Sequence, residues 1–293
     1  MEQLTKKAYA KLNLGLDVCY KREDGYHELR TVMQTVSLFD ELTFRKRQDR
    51  EIHLEVHAEG QDVPCDQKNL VYRAVSAVME RHEACGGMEI LLKKQIPAAA
   101  GMAGGSADAA AAIRACNELY ALNMDEAAMC EIAVGIGADV PYCLIGGTVL
   151  CEGIGELMTP LSKLPEMYFV IVKPDISVST AEVYGALDSV KSTWHPDVDG
   201  MIRAIKKRDA GAVVNCLGNT LESVTIPQHP VIDERKQQLL DCGAQGALMS
   251  GSGPTVFGVF SNEERQHRAY EKLCRMDGIG QVFMAEPVED ICR

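Results

Sequence analysis

The sequence has no Cys-x-x-Cys pair, no long apolar run and no basic run with interleaved aromatic residues. Its eleven cysteines are an odd number, which favours reduced thiols over a disulfide framework or a zinc ribbon. Apolar runs such as 168–172 are far too short to span a bilayer, and the first residues lack the apolar segment of a signal peptide. We therefore expect a cytoplasmic protein that is not anchored in a membrane.

Positive charge and aromatic side chains are also scarce. The formal net charge is −12, and only 5% of the residues are aromatic. Such a chain repels nucleic acid and anionic membrane surfaces, so neither is an expected partner. An anionic substrate would have to be held by positive groups concentrated at one site.

The apolar content is sufficient for two domains. Of the 293 residues, 46% are hydrophobic, enough to bury sizeable cores. A connection rich in Gly and Pro covers 150–165, so we place the boundary near Gly153, with an N-terminal domain over 1–153 and a C-terminal domain over 154–293. Periodicity predicts strands over 8–18, 31–40, 51–57, 88–94, 167–173 and 281–286, a hairpin over 246–260, and helices over 69–85, 109–120, 125–136, 198–208, 212–221, 232–242 and 264–276.

A strand, a glycine-rich loop and an alanine-rich helix follow one another over 88–122. Gly101, Gly104 and Gly105 would allow several backbone N–H groups to turn toward one anion at the positive end of the helix. This pattern fits phosphate binding, although the same glycines would also serve a tight turn into a core helix. No lysine follows Gly105, which disfavours a Walker-type loop.

Two further positions could carry chemistry or have ordinary structural roles. Lys11 and Asn13 share the polar face of the first strand, and Gly15 would leave room for a ligand above them, but a solvated lysine is equally compatible with the pattern. Asp139 stands at a helix boundary before Val-Pro, where it could cap a helix or act on a substrate.

Other polar and aromatic positions have simple structural explanations when taken alone. Tyr26 and His27 follow a turn and would pack beneath it. His53, Glu55 and His57 alternate along a strand without the spacing of a helical metal site, so we interpret them as a solvent-facing row.

Taken in order, the motifs resemble those of the GHMP kinase superfamily, which includes galactokinase, homoserine kinase, mevalonate kinase and phosphomevalonate kinase. The loop departs from the usual Pro-x-x-x-Gly-Leu-Gly-Ser-Ser pattern at Met102, Ala103 and Ala107, where the last replaces a second serine. The resemblance covers nearly the whole chain and rests on the segments 8–17, 24–29, 97–110, 137–142, 146–148 and 250–255.

The resemblance implies an α+β, two-domain GHMP-kinase-like fold. Its parts would be a ribosomal protein S5 domain 2-like N-terminal domain and a ferredoxin-like C-terminal domain, with the active site in the cleft between them. It also implies a kinase that uses ATP and Mg²⁺. The motif set is most similar to members that phosphorylate the 2-hydroxyl of a cytidyl-diphospho-methylerythritol in the non-mevalonate isoprenoid pathway. No residue is assigned as a metal ligand, and we expect a monomer or homodimer.

The resemblance also implies roles for individual residues. Asp139 would be the general base, and Lys11 the cation that polarises it and the substrate hydroxyl. Tyr26 and Tyr184 would sandwich the cytosine, while His27 and Asn13 would contact the base or the polyol. The residues of the implied ATP phosphate loop are Pro97, Ala98, Ala99, Ala100, Gly101, Met102, Ala103, Gly104, Gly105, Ser106 and Ala107.

Two other functions stay open. Another superfamily kinase, for homoserine or a mevalonate derivative, would keep the loop and the 250–255 turn but would have no need of Gly25-Tyr26-His27 or of a second stacking aromatic. A non-enzymatic nucleotide-binding protein would keep the loop without the pair Lys11 and Asp139.

Overall fold

A computed structural model describes residues 2–190 and 194–291, and within these residues the chain forms eleven strands and ten helices. The strands are β1 (Gln3–Lys21), β2 (His27–Lys46), β3 (Ile52–His57), β4 (Met88–Lys93), β5 (Thr148–Gly153), β6 (Leu157–Pro160), β7 (Tyr168–Lys173), β8 (Gly218–Asn219), β9 (Gly246–Met249), β10 (Val256–Phe260) and β11 (Gln281–Ala285). The helices are α1 (Leu70–Arg81), α2 (Gly104–Tyr120), α3 (Glu126–Val134), α4 (Val140–Ile145), α5 (Thr180–Leu187), α6 (Val198–Lys207), α7 (Ala210–Asn215), α8 (Glu222–Gln228), α9 (Val231–Asp241) and α10 (Glu263–Cys274).

These strands form two sheets. The first has seven strands in the order β3-β4-β2-β1-β8, with β5 paired to β2 and β6 paired to β5. The second has four antiparallel strands in the order β11-β7-β10-β9. Helices α1 and α2 lie on the first sheet, whereas α9 and α10 lie on the second, and a further apolar cluster joins residues of the two sheets.

The strand β1 is buried on both faces between Ala10 and Leu16, which differs from the half-buried strand that the alternation predicts. The edge of β1 is covered here, because the Lys11 backbone N–H donates to the Met102 carbonyl at 3.1 Å and the Asn13 backbone N–H to Ser250 Oγ at 3.3 Å. The Lys11 side chain also meets the 97–107 loop, since its Nζ donates to the Gly101 carbonyl at 2.9 Å. Lys11 and Asn13 are therefore buried polar groups.

Gly15 does not leave room for a ligand. A Cβ atom added there would lie 3.3 Å from Met201 Sδ, so helix α6 occupies the space above this glycine. The small residue permits close packing of a helix on the strand, and the expectation of a ligand at this point is wrong.

Several short elements differ from the predicted boundaries. The 150–165 connection contains strand β6, which pairs with β5. The helix predicted over 212–221 is the shorter α7, followed by β8, which pairs in parallel with Leu16 of β1. Helix α8, with Pro227 inside it, was not predicted. Each of these elements is too short for a period to be visible in the sequence. The domain boundary near Gly153 stays a prediction.

The end of the chain returns to the first sheet. After β11, the Ser37 N–H donates to the Glu286 carbonyl at 2.9 Å, and the Val288 N–H donates to the Thr35 carbonyl at 2.8 Å. Val36, between them, is fully buried and forms a β-bridge with Pro287. The described part of the chain contains no helix with the length and apolarity needed to cross a membrane.

Candidate active site

A cleft of about 830 Å³ is bounded by β1, the loop before α2, the start of α4, helix α5 and the turn between β9 and β10. Gly251 and Ser252 of this turn line it. Most of the residues singled out in the sequence lie on its walls: Lys11, Asn13, Tyr26, His27, Asp139, Tyr184, the range 97–101 and the range 103–106.

Lys11 is buried, with only 4% of its surface exposed. Its Nζ donates to Asn13 Oδ1 at 2.6 Å and to the Gly101 carbonyl at 2.9 Å, and it lies 3.9 Å from Asp139 Oδ2. The first two acceptors are neutral, and the third is a carboxylate held at the limit of an ion pair. Much of the charge of this lysine is therefore left to act on a ligand in the cleft.

Asp139 occupies the N-cap position of α4, but its side chain makes no capping hydrogen bond. The capping role that the sequence allowed is thus not used, although the position is the expected one. The side chain is 34% exposed and faces the cleft near Lys11. Burial, followed by the negative charge of Asp139, raises the pKa of Tyr184, which keeps this phenol neutral.

The loop before α2 leads into the helix without a side-chain cap. Ala103, the N-cap residue, has a left-handed backbone and makes no side-chain capping bond, so the first N–H groups of α2 have no side-chain partner from this residue. Gly101 also has a positive φ of 72°, and a Cβ there would lie 2.2 Å from the Ser250 carbonyl oxygen. Both the conformation and the close approach require glycine at this position.

Gly104 and Gly105 differ from Gly101 in backbone conformation, and their role in phosphate binding stays a prediction. Gly104 has no positive φ, and a Cβ added to it would lie 2.9 Å from Ile96 Cγ2, so it permits close packing of the helix start. Gly105 is less restricted, since its nearest neighbour would be Leu70 Cδ1 at 3.6 Å. Only one of the three glycines is therefore required by its backbone conformation.

Two residues of the predicted loop point away from the cleft. Met102 is 1% exposed and Ala107 is 3% exposed, and both pack in hydrophobic cores. The absence of a second serine at Ala107 is explained by this position, because a hydroxyl there would be buried among apolar side chains. Ser106 remains as the hydroxyl of the loop that lines the cleft.

The three predicted base-binding side chains lie together at one end of the cleft. Tyr26 is 61% exposed, so it does not pack beneath its turn. The His27 and Tyr184 rings are in contact, with centroids 5.1 Å apart and planes inclined by 41°. Asn13 lies deeper, where its Nδ2 donates to Thr31 Oγ1 at 2.9 Å and its Oδ1 accepts from Lys11.

A second buried lysine lies behind the loop. Lys94 Nζ pairs with Asp40 and with Asp108, the latter at 2.7 Å, and all three side chains are at most 4% exposed. Burial raises the pKa of Asp108 to about 8, against the opposing effect of Lys94. Burial alone would lower the pKa of Lys94, but the two carboxylates outweigh it and raise that pKa. Asp40 Oδ1 also accepts from the backbone N–H groups of Gln95 and Ile96, which fixes the start of the loop.

Comparisons with known proteins fit this geometry. The family model for the GHMP kinases N terminal domain matches residues 69–147, and that for the GHMP kinases C terminal domain matches 201–277. The 4-diphosphocytidyl-2-C-methyl-D-erythritol kinase of Lachnospira eligens is 46% identical over 98% of this chain and 99% of its own. The chain belongs to this family of GHMP kinases. It is therefore a kinase and uses ATP.

Solved structures agree with the family assignment. A crystal structure of 4-(cytidine 5'-diphospho)-2C-methyl-D-erythritol kinase has a TM-score of 0.83 and 33% identity, covering 98% of this chain and 100% of that one. The mevalonate kinase of L. major has a TM-score of 0.76 at 16% identity, covering 98% of this chain and 97% of its own, and this likeness shows the fold alone. The predicted two-domain GHMP-kinase-like α+β fold is confirmed.

Two contacts in or behind the cleft were not predicted from the sequence. Asp188, just after α5, lines the cleft and bonds to His27. Its signal was available, because Tyr184 and Asp188 are four residues apart and so share one helix face. Ser250 Oγ donates to the Gly101 carbonyl at 3.0 Å, a contact between distant segments that no local pattern indicates.

Proposed function

We propose that this chain transfers the γ-phosphoryl group of ATP to the 2-hydroxyl of 4-diphosphocytidyl-2-C-methyl-D-erythritol, giving the 2-phosphate and ADP. One observation carries the proposal: a single cleft holds a phosphate loop, a Lys–Asp pair and an aromatic end. These parts match the three parts of the reaction, which are a triphosphate, a reacting hydroxyl and a flat base.

The phosphate loop and Lys11 supply the charge compensation that phosphoryl transfer needs. The N–H groups at the start of α2 and the helix dipole favour a polyphosphate, while Lys11 Nζ is positioned against the 97–107 loop through the Gly101 carbonyl. Asp139 accepts the proton of the tertiary alcohol as the new O–P bond forms, because a carboxylate in reach of a weakly acidic hydroxyl can act as general base.

Mg²⁺ accompanies ATP in this proposal. Among residues 2–190 and 194–291, no group of three or more His, Cys, Asp or Glu side chains forms a metal site. Mg²⁺ is usually held by one or two carboxylates together with substrate phosphates, so a sparse donor set fits it. The Ser106 hydroxyl lines the cleft and would hold the ion together with the phosphates of ATP. When bound, it neutralises charge on the phosphates.

The cytidine end of the substrate lies against Tyr26, Tyr184 and His27. A pair of aromatic faces suits a neutral base, and each stacked face contributes about 1–3 kcal/mol. The exposure of Tyr26 at 61% supports a role in binding, since a large exposed aromatic beside a cleft is a ready contact for a ligand.

The cellular setting follows from the same proposal. The enzyme acts in the cytoplasm on a small-molecule substrate and ATP, as a monomer or homodimer, without nucleic acid. All ten cysteines in the described part of the chain are free thiols, which is compatible with a reducing compartment.

A coupled ADP-release assay tests the function. The purified chain is incubated with Mg-ATP and, separately, 4-diphosphocytidyl-2-C-methyl-D-erythritol, free methylerythritol, homoserine and mevalonate. We expect turnover with the first compound at a kcat/KM far above the others. Comparable turnover of homoserine or mevalonate would contradict the proposal, and equal turnover of free methylerythritol would remove the base-binding role of the aromatic end.

A further inference from the structure

A carboxylate at the aromatic end of the cleft has no part in the reaction proposed above. Asp188 follows helix α5, and its Oδ1 lies 2.8 Å from His27 Nε2. Its Oδ2 accepts a hydrogen bond from Lys21 Nζ. Helix α5 also carries Tyr184, whose ring is in contact with His27. One helix therefore provides both a ring against His27 and a carboxylate for its Nε2.

The charge of Asp188 determines which ring nitrogen of His27 carries a proton. Hydrogen bonds from Lys21 and His27 lower the pKa of Asp188, so the carboxyl is ionised at neutral pH and only accepts hydrogen bonds. Nε2 must then be the donor of the 2.8 Å bond. In a neutral imidazole with the proton on Nε2, Nδ1 is an acceptor, and no described protein group bonds to it.

We propose that Asp188 is a positioning residue for base recognition: it fixes the His27 tautomer so that Nδ1 accepts a hydrogen bond from the exocyclic amino group of cytosine. The inference rests on the proposed function, because it requires a cytidine substrate in this cleft. Uracil presents a carbonyl in place of the amino group, so two acceptors would face one another.

The packing holds the ring in a defined orientation. The His27 side chain is only 10% exposed, and it lies between Asp188 and Tyr184. A polar group left unmatched in such a place lowers affinity roughly tenfold to a hundredfold. The His27 tautomer is thus sufficient to give cytosine a higher affinity than uracil, although the two bases have the same shape.

Calorimetry with CDP and UDP tests the proposal without turnover. We expect the wild type to bind CDP roughly tenfold to a hundredfold more tightly than UDP. In Asp188→Asn the amide can donate to Nε2 and move the proton to Nδ1, so this preference should fall by about tenfold or more. Asp188→Glu keeps a carboxylate and should restore part of the preference. Glu182→Gln, the same change at an exposed residue of α5, should behave as the wild type.

Two results would overturn the role of Asp188. The first is an unchanged ratio of CDP to UDP affinity in folded Asp188→Asn, when the wild type prefers CDP; the proposed function would then survive. The second needs no variant: ¹⁵N chemical shifts of the wild-type His27 ring that show the proton on Nδ1. A wild type that binds both nucleotides equally would instead overturn the cytidine substrate and the role of Asp188 together. The Kd for ATP should remain constant across the series, which separates base recognition from a general disturbance of the cleft.

Discussion

Lys11 and Lys94 are both buried beside the loop that precedes α2, but their surroundings are opposite. Lys94 is enclosed by Asp40 and Asp108, two carboxylates that are at most 3% exposed. Lys11 is bonded to two neutral oxygens, and the one carboxylate paired with it among the described residues, Asp139, is 3.9 Å away and 34% exposed.

This difference fits a structural role for Lys94 and the proposed catalytic role for Lys11. The charge of Lys94 is neutralised by the protein itself, so its removal affects the folded state. The charge of Lys11 is only partly compensated, which leaves it available to phosphate and to the reacting hydroxyl. The charge of the groups bonded to a buried lysine is therefore more informative about its function than its burial.

The largest effect is expected from Asp139→Asn, which tests the proposed catalytic pair of Lys11 and Asp139. The amide keeps the shape but cannot take the proton, so we expect kcat to fall by about 10²–10⁴-fold with little change in substrate Kd. Steady-state kinetics and calorimetry measure the two quantities.

Asp125→Asn is the matched control for this change. Asp125 caps α3 through a hydrogen bond from the Ala128 N–H, and asparagine caps about as well. Turnover in Asp139→Asn as high as in this control would show that Asp139 is not the base.

The variant Lys94→Met tests whether Lys94 stabilises the fold. Removing the cation leaves the buried Asp40 carboxylate without compensation, and we expect the free energy of unfolding to fall by about 3–5 kcal/mol. Urea denaturation followed by circular dichroism measures it.

Lys11→Met is the corresponding variant at the other lysine. It should lose much less stability, because it leaves no buried carboxylate behind, yet it should lose most of its activity. Equal destabilisation of the two variants would refute the distinction between the lysines.

Gly101→Ala tests how the loop holds Lys11. The added Cβ would lie 2.2 Å from the Ser250 carbonyl oxygen at a φ of 72°, so the loop must shift, at a cost of about 1–3 kcal/mol. We expect weaker ATP binding by calorimetry and a lower kcat.

Gly60→Ala separates backbone strain from the clash. Gly60 has a similar φ of 69° but no neighbour within 4 Å of an added Cβ. It should lose some stability and keep the ATP affinity of the wild type, whereas a parallel loss of affinity would argue against a local role for Gly101.

The variant Asp108→Asn tests how the stability of the fold depends on pH. The pKa of Asp108 in the fold is about 8 against an ordinary value of 3.8, so the folded protein holds this proton more tightly than the unfolded chain. Its stabilising contribution is complete below pH 3.8 and is lost as the pH rises toward 8. Unfolding free energies measured at several pH values should thus decline less steeply in the variant over this range. Identical slopes would show that Asp108 is ionised throughout.

The sequence predicted the long elements and the order of motifs, since a period of two or 3.6 is visible over six or more residues. It could not predict which polar residues would meet. Lys94 and Asp108 are close in sequence, but Asp40 is 54 residues from Lys94, and that triad depends on the pairing of β2 with β4. The role of Gly15 was wrongly predicted and the alanine at 107 was unexplained for a related reason. The surroundings of both residues are formed by side chains from elsewhere in the fold.

The segment that returns to the first sheet has a consequence for the order of folding. Backbone groups of Thr35 and Ser37, in the middle of β2, find partners in residues 286–288, and 249 positions separate Ser37 from Glu286. Contacts between such distant residues form slowly, because the entropy of closing the loop must be overcome before the contacts stabilise it. Until they form, a stretch of β2 presents unpaired N–H and C=O groups beside Val36, a template for another strand. Docking of this segment is therefore the folding step that protects the first sheet from pairing with its neighbours.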